Sequence, residues 1–423
     1  MVILAVSNYN AHHAFTFFGH ILMKKKKILF VHHGMGMGGA PHSLLLLIQS
    51  LDSAQYIPTV LFLFDSPAID LFRTAGISVA GPVGRLDFPH TQVWWYRWYH
   101  VGQLLKSLWD SLLVWWRDAE FWISTVQPDI IHLNTSSLVA WAVRARAMGI
   151  PVVWHIRESL APGYLGIRRA IMQCMVSCYA SKILAITTYD GRFWAGNPKL
   201  EILYNAVDCS VFIPSELTRL EWRVRHGIPK NDKILLYVGG LSREKGALEA
   251  LQLLKELRNR GHNDVWLVIA NSWNFPETSW LKKILGIENW YAQVRSLQDV
   301  LSDRLVFLGP VPSALSAFQA ADCVLFPATK GHAARPVIEA GAVGLPSIVS
   351  NLPPLNELVV DGETGFSCPV GDSDVWADCC EEVLFSVGRQ ASLGASASAL
   401  VRRYFSLAQY RQRVRSLYKK LEL

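Results

Sequence analysis

The sequence predicts an α/β protein with two doubly wound parallel sheets, on three observations. Short β-rich apolar runs alternate with longer helical patterns along the whole chain, the alternation starts afresh near residue 233, and both series open on a strand ending in glycines. A length of 423 residues suits about two or three domains and a core that needs no disulfide or metal staple. With 51% hydrophobic and 18% charged residues, disorder is excluded.

Taken in order, Ile28-Leu-Phe-Val31 runs into a Gly-rich turn, and Ser43 to Leu51 has helical spacing. Strands follow at Thr59 to Phe64, Ile77 to Ala80, Asp129 to Leu133, Val152 to His155 and Lys182 to Ile186. Ile234-Leu-Leu-Tyr-Val238 then restarts the rhythm, ending in Gly239-Gly240 ahead of a helix from about Ala247 to Arg258. Val265 to Ala270, Leu305 to Leu308, Cys323 to Phe326 and Ser347 to Val349 continue it. Two Rossmann-like halves are expected, joined near Asp208 to Arg223, where Pro214-Ser215 breaks the pattern.

The domain boundaries follow. Residues 1–22 read as an upstream extension without a structural role, because Met23 followed by Lys24 to Lys27 resembles a natural start. Residues 23–207 form an N-terminal domain and 208–405 a C-terminal one. Residues 406–423 form a basic terminal helix free to pack back on the first domain. Positive charge follows the early apolar stretch instead of preceding it, so a secretory leader is not expected, nor is a transmembrane helix. Seven cysteines, an odd count without CxxC, suit thiols in a reducing compartment, and a cytoplasmic location is expected.

The net charge of +7 suits anionic partners. Dense Lys/Arg clusters interleaved with aromatics are not evident, so nucleic acid is not expected. Seven of the 16 tryptophans lie between Trp94 and Trp122. Trp94, Trp98, Val101, Leu105, Leu108, Leu112 and Trp115 make one helical stripe with Arg97, Lys106, Asp110 and Arg117 off it. Such a stripe reads first as a helix covering the N-terminal sheet. The sharper reading is an interfacial helix on an anionic membrane, since Trp favours the headgroup boundary.

Gly34-Met-Gly-Met-Gly-Gly39 contains G-x-G-x-x-G after a strand, and Asp65 follows the next strand. Dinucleotide binding is a weak reading of that motif; a tight turn presenting a helix N-terminus to a ligand is the alternative. Asp372-Ser-Asp374 mimics a metal-binding D-x-D, but its place before a helical pattern reads as an N-cap, and no metal site is expected. No HExxH, GxSxG or Walker A sequence occurs.

The informative stretch is Phe326 to Pro346, a strand, a Gly-containing loop and a helix opening near Pro336. Pro at the first turn is favoured because its missing N–H would be unpaired there. Such a start aims backbone N–H groups and a positive dipole end at an anion. Glu339, one turn inside, is where a carboxylate can accept both hydroxyls of a ribose, and taken alone it reads equally as helix-dipole compensation.

With that context the sequence resembles the retaining family 4 glycosyltransferases of the GT-B fold, also called group 1 glycosyltransferases. The residues that carry the resemblance are Gly38-Gly39-Ala40-Pro41, Pro128-Asp-Ile-Ile-His132, His155-Ile-Arg-Glu158, Leu203-Tyr-Asn-Ala-Val-Asp208, Tyr237-Val-Gly-Gly-Leu-Ser-Arg-Glu-Lys-Gly246, Arg335-Pro-Val-Ile-Glu-Ala340 and Gly362-Glu-Thr-Gly-Phe366. They occur in family order from Ile28 to Asp372. The resemblance implies two Rossmann-like domains facing a central cleft, a nucleoside-diphosphate sugar as donor substrate, and neither cofactor nor metal. It implies a saccharide or lipid-linked saccharide acceptor, in cell-surface polysaccharide or glycoconjugate synthesis.

Residue by residue, the resemblance places Lys245 on the donor diphosphate and Glu339 on the ribose. The backbone around His332, Ala334, Arg335, Pro336 and Val337 faces phosphate, with Gly239 and Gly240 beneath it. Gly38 and Gly39 let the N-terminal domain close on the donor. His155 matches a histidine near the reacting sugar, and His132, Arg157 and Glu158 fall on the acceptor side.

Two departures stand out: Gly240 replaces the family's usual Arg, and Gly331 replaces the first of two glutamates. Arg243, Lys330 and Arg335 are candidates for the missing charge, Arg243 being placed with the catalytic residues. The departures also motivate a rival, a catalytically silent binding or scaffolding protein, with a nucleotide-sugar epimerase as a third reading.

Overall fold

Parallel pairing runs through the whole structure, a computed structural model that describes residues 24–34, 36, 38–86, 100–275, 287–311 and 313–421. The first sheet is built from β1 (Lys26–His32), β2 (Tyr56–Phe62), β3 (Ser78–Ala80), β4 (Ile130–Leu133), β5 (Val152–Ile156), β6 (Lys182–Ala185) and β7 (Leu200–Ile202), in the order β3-β2-β1-β4-β5-β6-β7. The second contains β8 (Lys233–Tyr237), β9 (Val265–Ala270), β10 (Leu305–Gly309), β11 (Cys323–Phe326), β12 (Ser347–Ser350) and β13 (Gly365–Cys368), in the order β10-β9-β8-β11-β12-β13. This is the two-sheet α/β architecture that the alternating pattern predicts. β7 and β13 are the strands that pattern missed. They are short edge strands, and β7 is only half-buried, so neither carries a strong apolar run.

The order reverses in each sheet beside its first strand. β1 lies between β2 and β4, with Ile28 opposite Pro58 and Ile130, and β8 lies between β9 and β11. In open α/β sheets a ligand crevice forms beyond the strand ends at such a reversal. The chain after β1, β8 and β11 carries the glycine cluster, the Gly239–Gly246 turn and the Pro327–Glu339 loop.

Helices cover both faces of each sheet. On the first, Leu29, Val31, Trp141, Trp154 and Val176 form one core, and Ile28, Phe30, Leu44, Leu47 and Val60 the other. The Leu407–Lys420 helix adds Tyr410, Val414 and Tyr418 to that second core. The chain therefore crosses between sheets twice. The crossings touch where Val207 N donates to Phe405 O at 3.0 Å and Leu407 N donates to Val207 O at 3.0 Å.

Inside the second domain Asp322 is a buried junction. It accepts from Arg219 Nη2 at 2.7 Å, Arg223 Nη2 at 2.8 Å and the Ile234 amide at 2.8 Å. Asp372 caps the Ser373–Phe385 helix, its Oδ1 accepting from Val375 N at 3.2 Å, and Asp374 pairs with Arg260, so the D-x-D tripeptide is a helix start.

The tryptophan-rich helix departs from its first reading. Trp94 and Trp98, like the extension over 1–22, lie outside the described residues. Val101, Leu105, Leu108, Leu112 and Trp115 are described, and they face outward, between 40% and 62% exposed. Ser107, Val114, Asp118, Ala119 and Ile123 are the buried positions of this segment, which runs through Val101–Leu113, one wider π turn at Val114–Asp118, and Ala119–Val126. Arg85 sets that orientation, with Nη1 3.0 Å from Asp118 and Nε 4.0 Å from Asp110. Those ion pairs draw the polar side inward and turn the apolar stripe to solvent. The sheet is covered by Val114, Ala119 and Ile123 instead.

Candidate functional site

A cleft of about 530 Å³ lies where the strand ends of the two sheets face each other. From the first sheet, Gly38, Gly39, Ala40, His42 and Ser43 line it at the start of the Gly39–Ser50 helix, with Arg157, Glu158 and Ser159 beyond β5 and Asn205 beyond β7. From the second come Val238 after β8, Lys245, Asn271, and Gly331, His332, Arg335, Pro336 and Glu339 after β11.

The second-domain wall is cationic. Lys245 makes no ion pair among the described residues, and burial pushes its pKa down although the Glu244 charge opposes this. His332 lies nearby; burial first, then the Lys245 charge, lowers it to about 4, so its ring is neutral at pH 7. Its Nδ1 is 3.1 Å from the Ala333 carbonyl, which fixes Nδ1–H as the donor and leaves Nε2 buried without a partner. The Arg335–Ala342 helix opens at Ala334 without a side-chain cap and without an acid in its first turn. Its start, where Arg335 and Pro336 line the cleft, is therefore open to an anion. Arg335 Nε donates to Glu339 Oε1 at 2.6 Å, and Arg335 Nη1 donates to Ser43 Oγ at 3.2 Å across the cleft.

Both glycine departures have a backbone cause. Gly240 has φ +63°, and a Cβ there would meet the Ser272 carbonyl oxygen. A Cβ at Gly331 would run into the Pro353 carbonyl oxygen. Neither position can take the family's usual side chain in this backbone. Arg335 stands in the cleft that Arg243 and Lys330 miss. Lys330 pairs with Glu244 at 3.7 Å, and Arg243, expected with the catalytic residues, is exposed outside the lining.

Several other expected residues lie below the cleft surface. His155 and His132 are fully buried, joined by Nδ1 of His155 and Nε2 of His132 at 3.2 Å, and His132 Nδ1 meets the Tyr418 hydroxyl at 2.6 Å. Burial, then the Arg157 charge, holds both rings well below the usual histidine pKa. Along β5 the side chains alternate, and Arg157, two residues beyond His155 on the same face, is the one that emerges into the cleft. Ala334 and Val337 are buried in the core, and Gly239 and Gly240 sit behind Val238, so none of the four lines the cleft.

Sequence reasoning missed Ser43, Ser159, Asn205 and Asn271. Asn205 stands inside one of the family motifs, where it had no assigned role; its Oδ1 accepts from Arg157 Nη1 at 3.2 Å. Glu357 was missed as well. Its carboxylate accepts from the Thr188 and Tyr189 amides at 2.8 and 2.7 Å and from the Tyr204 hydroxyl at 2.9 Å, joining the two domains at the cleft rim. Among the described residues no cluster of three or more His, Cys, Asp or Glu could hold a metal ion.

Comparison with known proteins agrees with this geometry. Residues 218–398 match the family model of glycosyl transferases group 1. The capsular polysaccharide biosynthesis glycosyltransferase CapM of Staphylococcus aureus is 22% identical over 321 residues, 74% of this chain and 80% of that protein. The D-inositol 3-phosphate glycosyltransferase of Corynebacterium diphtheriae is 27% identical over 211 residues, 49% of this chain and 47% of that protein, so the chain matches only about half of that relative's length. The N-acetyl-alpha-D-glucosaminyl L-malate synthase of Bacillus anthracis is likewise matched over 50% of its length, at 24% identity and 49% of this chain. In structure, Anabaena HepE, solved with UDP and glucose, superimposes with a TM-score of 0.72 at 20% identity, covering 94% of this chain and 99% of that one. The two-domain α/β fold is that of the GT-B glycosyltransferases.

Proposed function

We propose that this chain, whose residues 218–398 match the group 1 glycosyl transferase model, moves a sugar from a nucleoside diphosphate to an acceptor hydroxyl with the anomeric configuration kept. One observation carries the reading: Lys245, Arg335, Glu339 and an uncapped helix start face Gly38 and Gly39 across a single cleft. Breaking the bond to a nucleoside diphosphate develops negative charge on the leaving phosphate. Preorganised cations and amide dipoles in a partly dehydrated cleft stabilise that charge most effectively. The Lys245 ammonium and the Arg335 guanidinium supply it here, and Glu339 holds the ribose hydroxyls.

The acceptor hydroxyl then attacks from the face the leaving group departs, and the departing phosphate oxygen takes its proton. No side-chain nucleophile is required, and the fixed cations stand where a metal ion would otherwise neutralise the diphosphate. Approach of the two domains through Arg335–Ser43 and the Glu357 contacts limits water at the reacting carbon. That HepE was solved with UDP and glucose supports a uridine nucleotide as the first donor to try. The CapM likeness supports a role in polysaccharide or glycoconjugate synthesis.

No described helix is long and apolar enough to cross a membrane. The outward stripe of the Val101–Leu113 helix, with Trp109 and Trp116 at 62% and 69% exposure and Lys106 and Arg117 beside them, supports work on the cytoplasmic face of a membrane, with a lipid-linked acceptor. The deciding experiment is incubation of the purified protein with UDP-sugars, with and without chelator, following UDP release and the anomeric configuration of the product. Binding of UDP-sugars without turnover for any acceptor would favour the silent scaffold. Conversion of the donor to another nucleotide sugar without an acceptor would favour the epimerase.

A further inference from the structure

On the first-domain side of the cleft, Arg157 is a buried cation whose hydrogen-bond partners are neutral, the adjacent Glu158 acting on it only as a nearby charge. Its Nε donates to Asn134 Oδ1 at 2.5 Å and its Nη1 to Asn205 Oδ1 at 3.2 Å, both neutral amides. The Tyr410 hydroxyl is a third neutral neighbour. Nη2 is buried and meets no hydrogen-bond partner among the described residues. Among the described residues Arg157 makes no ion pair.

The hydrogen bonds of the buried acids Glu158 and Asp190 go to other groups. Glu158 Oε1 accepts from Thr135 Oγ1, from Ser136 Oγ at 3.3 Å and from Ser136 N at 3.4 Å. Asp190 accepts from Ser159 Oγ and from Thr187 Oγ1 at 2.7 Å. The surrounding histidines add no anion either. His32, His132 and His155 are fully buried, and Asn134 Nδ2 meets His32 Nδ1 at 2.9 Å on the far side of the amide that holds Arg157.

A guanidinium withdrawn from water and left unpaired is costly, and its planar fork fits two oxygens of one carboxylate or phosphate. Here the fork is already oriented by Asn134 and Asn205, with one Nη free, on the wall opposite Lys245. We propose that Arg157 is the centre of an oxyanion subsite for the acceptor, so that the acceptor bears a phosphate or carboxylate close to the hydroxyl that receives the sugar. This deepens the transferase reading and rests on it for the word acceptor; the subsite itself is testable separately.

The test is calorimetric. Orthophosphate and, in a second arm, malonate are titrated into the full chain saturated with UDP, so that donor-side cations are already occupied. The expected result is a second binding event in the wild type. Arg157→Gln should weaken it at least about tenfold, the loss of one charge-assisted hydrogen bond, and Arg157→Lys should restore part of it. UDP affinity should stay unchanged in Arg157→Gln and fall in Lys245→Ala. A response to orthophosphate alone assigns a phosphorylated acceptor, and to malonate alone a carboxylated one.

Absence of any oxyanion binding in the UDP-saturated wild type overturns the subsite, as does binding that survives Arg157→Gln. Loss of UDP affinity in Arg157→Gln equal to that in Lys245→Ala places Arg157 on the donor and overturns it too. Should wild-type protein not bind UDP, the donor reading fails; the oxyanions are then titrated into Lys245→Ala with and without Arg157→Gln, and the subsite is judged on that pair. Should Arg157→Gln not fold, Asn205→Ala, which frees Nη1, should still weaken oxyanion binding while sparing UDP.

Discussion

Arg335 donates from Nε to Glu339 Oε1 at 2.6 Å and from Nη1 to Ser43 Oγ at 3.2 Å, so one side chain touches the acid proposed to hold the ribose and the opposite domain together. A donor that takes Glu339 must share or release Arg335, which ties donor occupancy to the contact between domains. Glu339→Ala should weaken UDP binding by about 1.5–3 kcal/mol, the range for a hydrogen bond to a charged group, without loss of the folded state. Titration calorimetry checks it, and an unchanged dissociation constant removes Glu339 from the ribose.

Lys245 and Arg243 separate cleanly. Lys245 lines the cleft without an ion pair among the described residues, whereas Arg243 is exposed outside it. Lys245→Ala should lower turnover about a hundredfold, as loss of one preorganised charge-stabilising donor does. Arg243→Ala should run at the wild-type rate. Steady-state rates decide, and a slow Arg243 variant would return that residue to the site.

Asp322 tests the fold and not the site. With Arg223 it is nearly fully buried, and its removal strands that guanidinium. Asp322→Ala should destabilise the second domain by about 3–5 kcal/mol. Urea unfolding followed by tryptophan fluorescence measures this; a midpoint equal to wild type refutes the assignment.

Acid should unfold the first domain through its histidines. Burial lowers His32, His132 and His155 well below 6.5, and His33 to about 4. The unfolded chain therefore binds their protons first as pH falls. Stability should be full above pH 6.5 and decline toward pH 4, with a slope of up to about 1.4 kcal/mol per pH unit for each histidine. Glu158 and Asp190 are raised by burial and act in the opposite sense, gaining stability as the folded state takes their protons. Four histidines outweigh two acids. Urea midpoints from pH 7.5 to 4 that stay level would show those rings protonated in the native state.

The exposed stripe gives the membrane prediction. Flotation with anionic vesicles should carry the protein at low salt and lose it at high salt, since each surface Lys or Arg contributes about 1 kcal/mol and is screened within a Debye length. Trp109→Ser with Trp116→Ser should abolish flotation and leave UDP binding intact. Protein that stays at the bottom at low salt removes the membrane from the reading.

Much of this molecule is written locally in its sequence. The apolar runs of β1, β8 and β11, the glycines that follow them and Pro336 ahead of Glu339 are short-range instructions. Backbone sterics and helix-end chemistry make the two sheets and their loops legible from the amino-acid order alone, and the family motifs single out Lys245, Arg335 and Glu339. What only the tertiary structure decided are matters of depth and direction. Alternation along β5 puts His155 and Arg157 on one face but does not say that the sheet's edge falls between them, burying the first and opening the second. The stripe from Val101 to Trp115 satisfies a core and a membrane equally, because both reward the same periodicity; Arg85, distant in sequence, turns it outward by pulling Asp110 and Asp118 inward. Ser43, Asn205 and Glu357 carry no motif of their own, and they acquire a role only from what folding sets opposite them: Arg335, Arg157 and the amides of Thr188 and Tyr189.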